Sequence, residues 1–144
     1  MNTRRNILHG MFVIVHHLKK DFVNFVSQYD VTEMEAKFIF FIGDEHNKTA
    51  DLIERFKKHK STIRQKTRSL EKKGYITVQN SKEDKRERIV VLTKKGKEFY
   101  TEMKKIEKKY HNKVFKNFSK KDKDSLRELL QKLEITQNYD CDIC

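Results

Sequence analysis

The stretch of sequence that decides the fold spans residues 60–93 and reads KSTIRQKTRSLEKKGYITVQNSKEDKRERIVVLT. In its first half, residues suited to a core recur three or four positions apart, the spacing of an amphipathic helix. Ser61 is a suitable N-cap for such a helix, and Gly74 can end it in a left-handed conformation. The pattern therefore predicts a helix that runs from Ser61 to Lys73, with a core face made of Ile63, Thr67 and Leu70.

The second half of the stretch changes its period. Residues 75–79 and 88–92 are short and rich in β-branched side chains, and the polar segment 80–87 separates them. Two such segments around a polar turn predict a β-hairpin with a charged tip. Just upstream, Thr49 is a predicted N-cap for a short helix over residues 50–56. Two short helices a few residues apart predict a helix-turn-helix, to which the hairpin adds a wing.

Two further helices are predicted on the N-terminal side. Apolar residues recur at helical spacing throughout residues 5–27 and indicate one long amphipathic helix. Thr32 and Glu35 form a capping box that opens a second helix over residues 33–42. Gly43 is predicted to end this second helix in a left-handed conformation.

The C-terminal side is also predicted to be helical. Thr93 is a suitable N-cap for a long helix over residues 94–118. Ser119 and Asp122 offer a second capping box, and the helix behind it carries an apolar stripe made of Leu126, Leu129, Leu130 and Leu133. With no proline and only four glycines in the chain, these patterns predict a mainly α protein.

The length of 144 residues fits one domain, which we expect to span residues 1–137. Its fold class is mainly α: a winged helix-turn-helix core at about residues 32–93, with a short β-hairpin as its wing. Long dimerisation helices flank this core at about residues 5–27 and 94–135. Residues 138–144 are expected to form a flexible tail.

The composition indicates a thin core and much solvated surface. Apolar residues make up 36% of the chain, against about 45–50% in average soluble domains, and charged residues make up 38%. The long apolar stripes therefore need a partner chain to cover them, and we expect a homodimer. No apolar run exceeds five residues, and no signal-peptide cleavage site follows the N-terminal patch. We expect a cytoplasmic protein with neither a membrane partner nor a cofactor.

The positive charge is concentrated in one part of the chain. The formal net charge is +12, and residues 55–88 hold thirteen basic and four acidic residues, a net of +9. Solvated helix faces often carry charge runs, but this one coincides with the predicted helix-turn-helix and wing. The distribution therefore favours a nucleic acid as the partner.

The predicted helix over residues 61–73 also has an outer face suited to a DNA groove. Glutamine can pair with adenine edges, arginine with guanine edges, and serine or threonine with bases or phosphates. Neutralisation of phosphates alone would equally explain Arg64 and Lys72. The basic wing tip can enter a minor groove, although it could also be an ordinary charged loop. The predicted DNA-binding residues are Lys60, Ser61, Thr62, Arg64, Gln65, Arg68, Lys72, Asp84, Lys85 and Arg86.

Three segments together resemble the multiple-antibiotic-resistance-regulator (MarR) family of bacterial transcription factors. They are the Leu-Glu-Lys-Lys-Gly run at 70–74, the Asp-Lys-Arg run at 84–86 and the Leu-Thr-Lys-Lys-Gly run at 92–96. The order of the predicted elements is similar to that family over residues 5–135. The combination is specific, whereas each segment alone is not.

The resemblance implies a homodimeric regulator of transcription that binds palindromic operators in double-stranded DNA. Such a protein is usually a repressor, and a small phenolic or lipophilic effector, or oxidation, releases it from the operator. Carried over by position, Asp84 would orient the wing and Arg86 would enter the minor groove. The residues that would meet the major groove are Ser61, Thr62, Arg64, Gln65 and Arg68.

Two alternative functions remain open from the sequence. The same charge could serve a protein that coats nucleic acid without regard to sequence. A metal-sensing or redox-sensing version of the regulator is suggested by the pair Cys141 and Cys144, by Glu107 and His111 one helical turn apart, and by His16 and His17. A frayed tail and solvated side chains are the simpler interpretation of these residues. No sequence motif of an enzyme is present, so we do not expect catalysis.

Overall fold

A computed structural model describes residues 6–44 and 48–133. These residues form six helices and a two-stranded antiparallel sheet, which confirms the predicted fold class. In chain order the elements are α1 (Ile7–Val26), α2 (Glu33–Gly43), α3 (Thr49–Phe56), α4 (Lys60–Lys72), β1 (Ile76–Asn80), β2 (Arg88–Leu92), α5 (Lys94–Val114) and α6 (Lys120–Gln131). Cys141 and Cys144 lie outside the described residues.

The predicted capping box of α2 is confirmed, but the predicted role of Gly43 is wrong. The Thr32 hydroxyl accepts a hydrogen bond from the Glu35 amide (3.2 Å), and the Glu35 carboxylate accepts one from the Thr32 amide (2.8 Å). At the other end, α2 continues through Gly43 with no left-handed residue, and Asp44 is its C-cap. Gly43 lies against the ring of Tyr100, where a Cβ atom would clash. A close approach between α2 and α5 therefore explains this glycine.

Both predicted N-caps of the helix-turn-helix are wrong. Helix α3 begins at Thr49, and the Thr49 hydroxyl donates to the carbonyl oxygen of Arg88 (3.2 Å) instead of capping the helix. Helix α4 begins at Lys60, so Ser61 lies within its first turn and His59 occupies the N-cap. Between the two helices, Lys57 adopts a left-handed conformation with φ of 48°, which turns the chain.

The C-terminal end of α4 follows the sequence prediction. Gly74 has φ of +80°, and the amide of Tyr75 donates to the carbonyl of Leu70 (3.0 Å). This arrangement closes the helix and sends the chain into β1. Strand β1 pairs with β2 in antiparallel register, with Ile76 opposite Leu92. An isolated bridge between Lys48 and Ile89 attaches the start of α3 to the outer side of the hairpin.

Helix α5 is shorter than predicted. Thr93 caps it as expected, with its hydroxyl accepting from the amide of Gly96 (3.1 Å). The helix ends at Val114, because the chain turns at residues 115–118 and Ser119 then adopts the extended conformation of an N-cap. The predicted capping box of Ser119 and Asp122 is confirmed.

The core lies inside the winged helix-turn-helix. Its fully buried side chains come from every element between α2 and α5 and include Phe38, Ile39, Leu52, Ile63, Leu70, Tyr75, Ile76, Val90 and Phe99. By contrast, the first two-thirds of α1 is exposed and α6 buries no residue. Apolar side chains on these two helices are open to solvent in the single chain. No helix among the described residues is long and apolar enough to cross a bilayer.

Candidate nucleic-acid interface

Helix α4 presents its polar face outward, as the sequence predicted. Ile63, Thr67 and Leu70 are buried, and the Thr67 hydroxyl is satisfied by the carbonyl of Ile63 (3.0 Å). Thr62 is half-buried. The remaining predicted DNA-binding residues of α4 are exposed, and they are Lys60, Ser61, Arg64, Gln65, Arg68 and Lys72. The helix therefore offers a continuous polar surface about 20 Å long, at ~1.5 Å per residue.

A buried ion pair holds the C-terminal end of α4 against the start of α2. The Lys73 ammonium lies 2.7 Å from the Glu35 carboxylate, whose side chain is only 2% exposed. Burial raises the pKa of Glu35, but hydrogen bonds from Lys73, Ser69 and the backbone of Thr32 outweigh burial and hold the pKa below its usual value. Glu35 is therefore ionised at neutral pH and fixes α4 in position.

A second polar cluster joins the same end of α4 to α5. The Tyr75 hydroxyl donates to Asp30 (2.6 Å), and burial together with this bond raises the pKa of Tyr75. The bond from Tyr75 also lowers the pKa of Asp30. Lys95 lies 4.2 Å from the centre of the Tyr75 ring and donates to the carbonyl of Lys73 (2.9 Å). Sequence reasoning missed both clusters because their members are far apart in the chain.

The wing tip is shaped by hydrogen bonds within the tip itself. The Asp84 carboxylate accepts from the amide of Arg86 (2.9 Å), and the amide of Ser81 donates to the carbonyl of Glu87 (2.8 Å). Lys85 and Arg86 are exposed at this tip. Asp84 thus constrains the backbone that carries Arg86.

A cleft of about 840 Å³ separates α4 from the wing. Of the predicted residues, Lys60, Arg64, Arg68 and Arg86 line it. Ser61 and Gln65 line a smaller groove on α4 together with the same Arg64 and Arg68. Thr62, Lys72, Asp84 and Lys85 line neither of these surfaces.

Arg88 and Thr49 also line the cleft, and the predicted DNA-binding residues did not include them. Arg88 begins β2 and is exposed, and Thr49 lies at the start of α3. The sequence signal for Arg88 was its place in the basic segment 55–88, which ends at this residue. Thr49 could not be found in this way, since only the folded chain brings α3 to β2.

A second cavity, of about 710 Å³, lies between α1, α2 and α5. Its walls are mostly apolar and aromatic, and they include Phe22, Phe25, Phe40, Phe41, Met103, Tyr110 and Phe115. Charged side chains also line the cavity. One of them is Lys37, whose pKa is lowered by burial. Such a cavity suits a small ligand with an apolar body and a polar group.

The described residues bring together no group of three or more metal-ligating side chains. Glu107 and His111 both line the apolar cavity, while the rings of His16 and His17 contact each other on α1. The structure therefore does not unite these predicted candidates in one site.

Comparisons with known proteins agree with the fold. Residues 31–96 match the family model described as a winged helix DNA-binding domain. No curated protein matches this chain. Among solved structures, a FabT protein from Streptococcus pneumoniae in complex with DNA is similar, with 22% identity, a TM-score of 0.74 and coverage of 90% of this chain and 93% of that one.

Two other similar structures are MarR family regulators. The first, from Listeria monocytogenes and complexed with 26mer DNA, has 19% identity, a TM-score of 0.73 and coverage of 91% of this chain and 88% of that one. The second, a MarR/EmrR family regulator from Acinetobacter sp. ADP1, has 22% identity, a TM-score of 0.69 and coverage of 94% and 97%.

Residues 31–96 thus have the fold of a winged helix domain, in which α2, α3 and α4 precede the β1–β2 hairpin. Over about nine-tenths of its length, the chain has the fold of the MarR family transcriptional regulators, which confirms the resemblance seen in the sequence.

Proposed function

We propose that this protein is a sequence-specific, DNA-binding regulator of transcription. The observation that carries the proposal is the exposed polar face of α4 beside a basic wing, within a segment of net charge +9. In this arrangement α4 enters a major groove, and Arg86 of the wing enters the adjacent minor groove. Two similar proteins were solved in complex with DNA, which supports duplex DNA as the partner.

The regulator acts as a homodimer on palindromic operators. The exposed apolar side chains of α1 and α6 support this part of the proposal, since a second copy could cover them. They include Ile7, Leu8, Phe12, Val15, Leu129 and Leu130. Two copies related by a twofold axis would present two α4 helices to two half-sites.

The cavity between α1, α2 and α5 holds a small effector, and the protein is a repressor that the effector releases. Helix α2 connects the cavity to the DNA-binding helix α4. Phe40 and Phe41 of α2 line the cavity, and Glu35, near the start of the same helix, holds Lys73 at the end of α4. A ligand that displaces α2 would therefore also displace α4.

Selection from a pool of random duplexes tests sequence-specific binding. We expect enrichment of one palindromic site, bound at least a thousandfold more tightly than a scrambled duplex, at about the lower end of typical specificity ratios. Gln65→Ala should relax the preference at one base step by about 1–3 kcal/mol, and Arg86→Ala should weaken binding at every site. Equal affinity for the selected and scrambled duplexes would favour a sequence-neutral coating protein instead.

A titration with salicylate, a small phenolic carboxylate, tests the effector site. We expect salicylate to release the wild-type protein from the selected duplex. Ile106→Trp should fill the cavity and abolish this response while leaving DNA binding intact, because Ile106 lines the cavity and is only partly buried. The affinity of the wild-type protein for the operator is also measured with a chelator and with a mild oxidant. A loss of affinity with either would favour the metal-sensing or redox-sensing alternative.

A further inference from the structure

The cleft between α4 and the wing contains two acidic side chains among its basic ones. Glu71 and Glu87 line it together with Lys60, Arg64, Arg68, Arg86 and Arg88. A carboxylate in such a cleft would repel a phosphate. The Glu71 carboxylate already accepts a hydrogen bond from the amide of Val78 (3.2 Å). Glu87 therefore needs a separate explanation.

Glu87 is paired with a lysine from outside the basic segment. The ammonium of Lys48 lies 3.1 Å from the Glu87 carboxylate, and the side chains are 48% and 31% exposed. Lys48 is the residue before α3, some forty positions from Glu87 in sequence. The pair neutralises the acid at the edge of the cleft.

The backbone around this pair is fixed by two further contacts. Lys48 forms a β-bridge with Ile89, and the hydroxyl of Thr49 donates to the carbonyl of Arg88 (3.2 Å). The start of α3 is thereby attached to the start of β2. Arg88 is held between these contacts with its side chain exposed beside the cleft.

We propose that Arg88 binds the DNA backbone in this cleft and that Lys48 is a positioning residue that keeps the cleft cationic by neutralising Glu87. The inference rests on the proposed binding of duplex DNA. If α4 occupies a major groove and the wing the adjacent minor groove, the sugar-phosphate strand between the two grooves lies over the cleft. Arg88 can then reach a phosphate, and an unpaired Glu87 would face the same strand.

The chemistry of this contact makes it sequence-neutral. Phosphate contacts raise affinity for every duplex and contribute to the salt dependence of binding, whereas base contacts discriminate among sequences. Arg88 and Gln65 are therefore expected to differ in kind: loss of Arg88 lowers overall affinity, and loss of Gln65 lowers discrimination.

The test measures binding of the selected and scrambled duplexes at several salt concentrations. Arg88→Gln should weaken binding to both by a similar factor, about three- to tenfold, and reduce the salt slope by about one. Arg127→Gln is the matched control, because Arg127 is exposed on α6, outside the cleft, and paired with Asp124; once sedimentation velocity confirms that this variant is a dimer, its binding should equal that of the wild type. Unchanged affinity and slope in Arg88→Gln would overturn the role of Arg88.

A double-mutant cycle tests the role of Lys48. Lys48→Met should weaken binding about two- to fivefold, the range of an exposed ion pair. Glu87→Gln should tighten binding, and the double variant should bind at least as well as the wild type. If the double variant is as weak as Lys48→Met, Lys48 acts directly on DNA and the positioning role is wrong.

If Lys48→Met does not fold, the Glu87→Gln variant still tests the inference. Binding by Glu87→Gln that is equal to or weaker than that of the wild type overturns the inference by itself. Failure of the wild type to bind any duplex would instead overturn the proposed function. Normal wild-type binding with no effect of these variants would overturn only the inference.

Discussion

At the scale of single residues, Glu35 links local and tertiary structure. Its carboxylate completes the capping box of α2 and also receives the ammonium of Lys73 from the end of α4. Sequence spacing predicted the first role, because Thr32 and Glu35 are three positions apart. The second role depends on a residue 38 positions away, which no local pattern reveals.

Removal of Lys73 tests the strength of this ion pair. Lys73→Met should lower the free energy of unfolding by about 3 kcal/mol, because it leaves a buried carboxylate without its cation. Lys105→Met is the control, since the ion pair of Lys105 with Glu102 lies on the surface of α5 and should contribute at most about 0.5 kcal/mol. Urea denaturation at pH 7 measures both, and equal losses would contradict the prediction.

Glu35 also makes a predictable contribution to acid stability. Since its pKa is lower in the folded chain than in the unfolded chain, its stabilising effect is complete above the unfolded pKa of about 4.5. The effect is lost as the pH falls through the folded pKa. We therefore expect the difference in unfolding free energy between the wild type and Glu35→Gln to be constant from pH 7 to 5 and to shrink below about pH 4.5. A difference that does not change down to pH 3 would contradict this assignment.

At the scale of elements, the docking of α5 on the hairpin depends on one close approach. Gly96, in the first turn of α5, is buried against the carbonyl of Tyr75, where a Cβ atom would clash with the backbone. The amide of Thr93 donates to the same carbonyl (3.0 Å), so the two segments are tightly bound to each other. The close approach, and not a special backbone conformation, requires glycine here.

Gly96→Ala should therefore separate α5 from the hairpin and destabilise the protein by about 2–3 kcal/mol. Thr101→Ala, at an exposed position of the same helix, is the control and should change stability by less than about 0.5 kcal/mol. Thermal unfolding followed by circular dichroism compares the two variants. A Gly96→Ala protein as stable as the wild type would show that α5 can shift to accept the methyl group.

At the scale of the whole molecule, the exposed apolar surface points to a second copy of the chain. Phe12 on α1 is 72% exposed and Leu129 on α6 is 58% exposed. Full burial of such side chains stabilises an interface by about 1.5–3 kcal/mol each. In a single chain both side chains remain in solvent and do not make this contribution. The low apolar content of the sequence leads to the same expectation of a partner chain.

Charged substitutions on this surface test the proposed dimer. Phe12→Glu combined with Leu129→Glu should give a monomer with an intact winged helix domain and with much weaker binding to the palindromic site. Gln79→Glu, at an exposed position of β1 within the winged helix core, should leave the dimer unchanged. Sedimentation velocity measures the assembly, and a monomeric wild type would refute the homodimer.

The sequence by itself determined which elements form and which face of α4 is buried. Capping boxes, glycine at the end of α4 and the three-to-four spacing of apolar residues act between neighbours in the chain, so they can be recognised without tertiary contacts. The outward face of α4 and the basic wing followed from the same local rules.

Only the tertiary structure decided how those elements meet. Thr49 was predicted to be an N-cap, but its hydroxyl donates to the carbonyl of Arg88 in β2. Gly43 was predicted to end α2 in a left-handed conformation, but it is required by the close approach of Tyr100 from α5. The pairs Glu35–Lys73 and Lys48–Glu87 likewise join distant segments. The physical reason is the same in each case: these side chains are satisfied by partners that only the packing of the whole chain brings within reach.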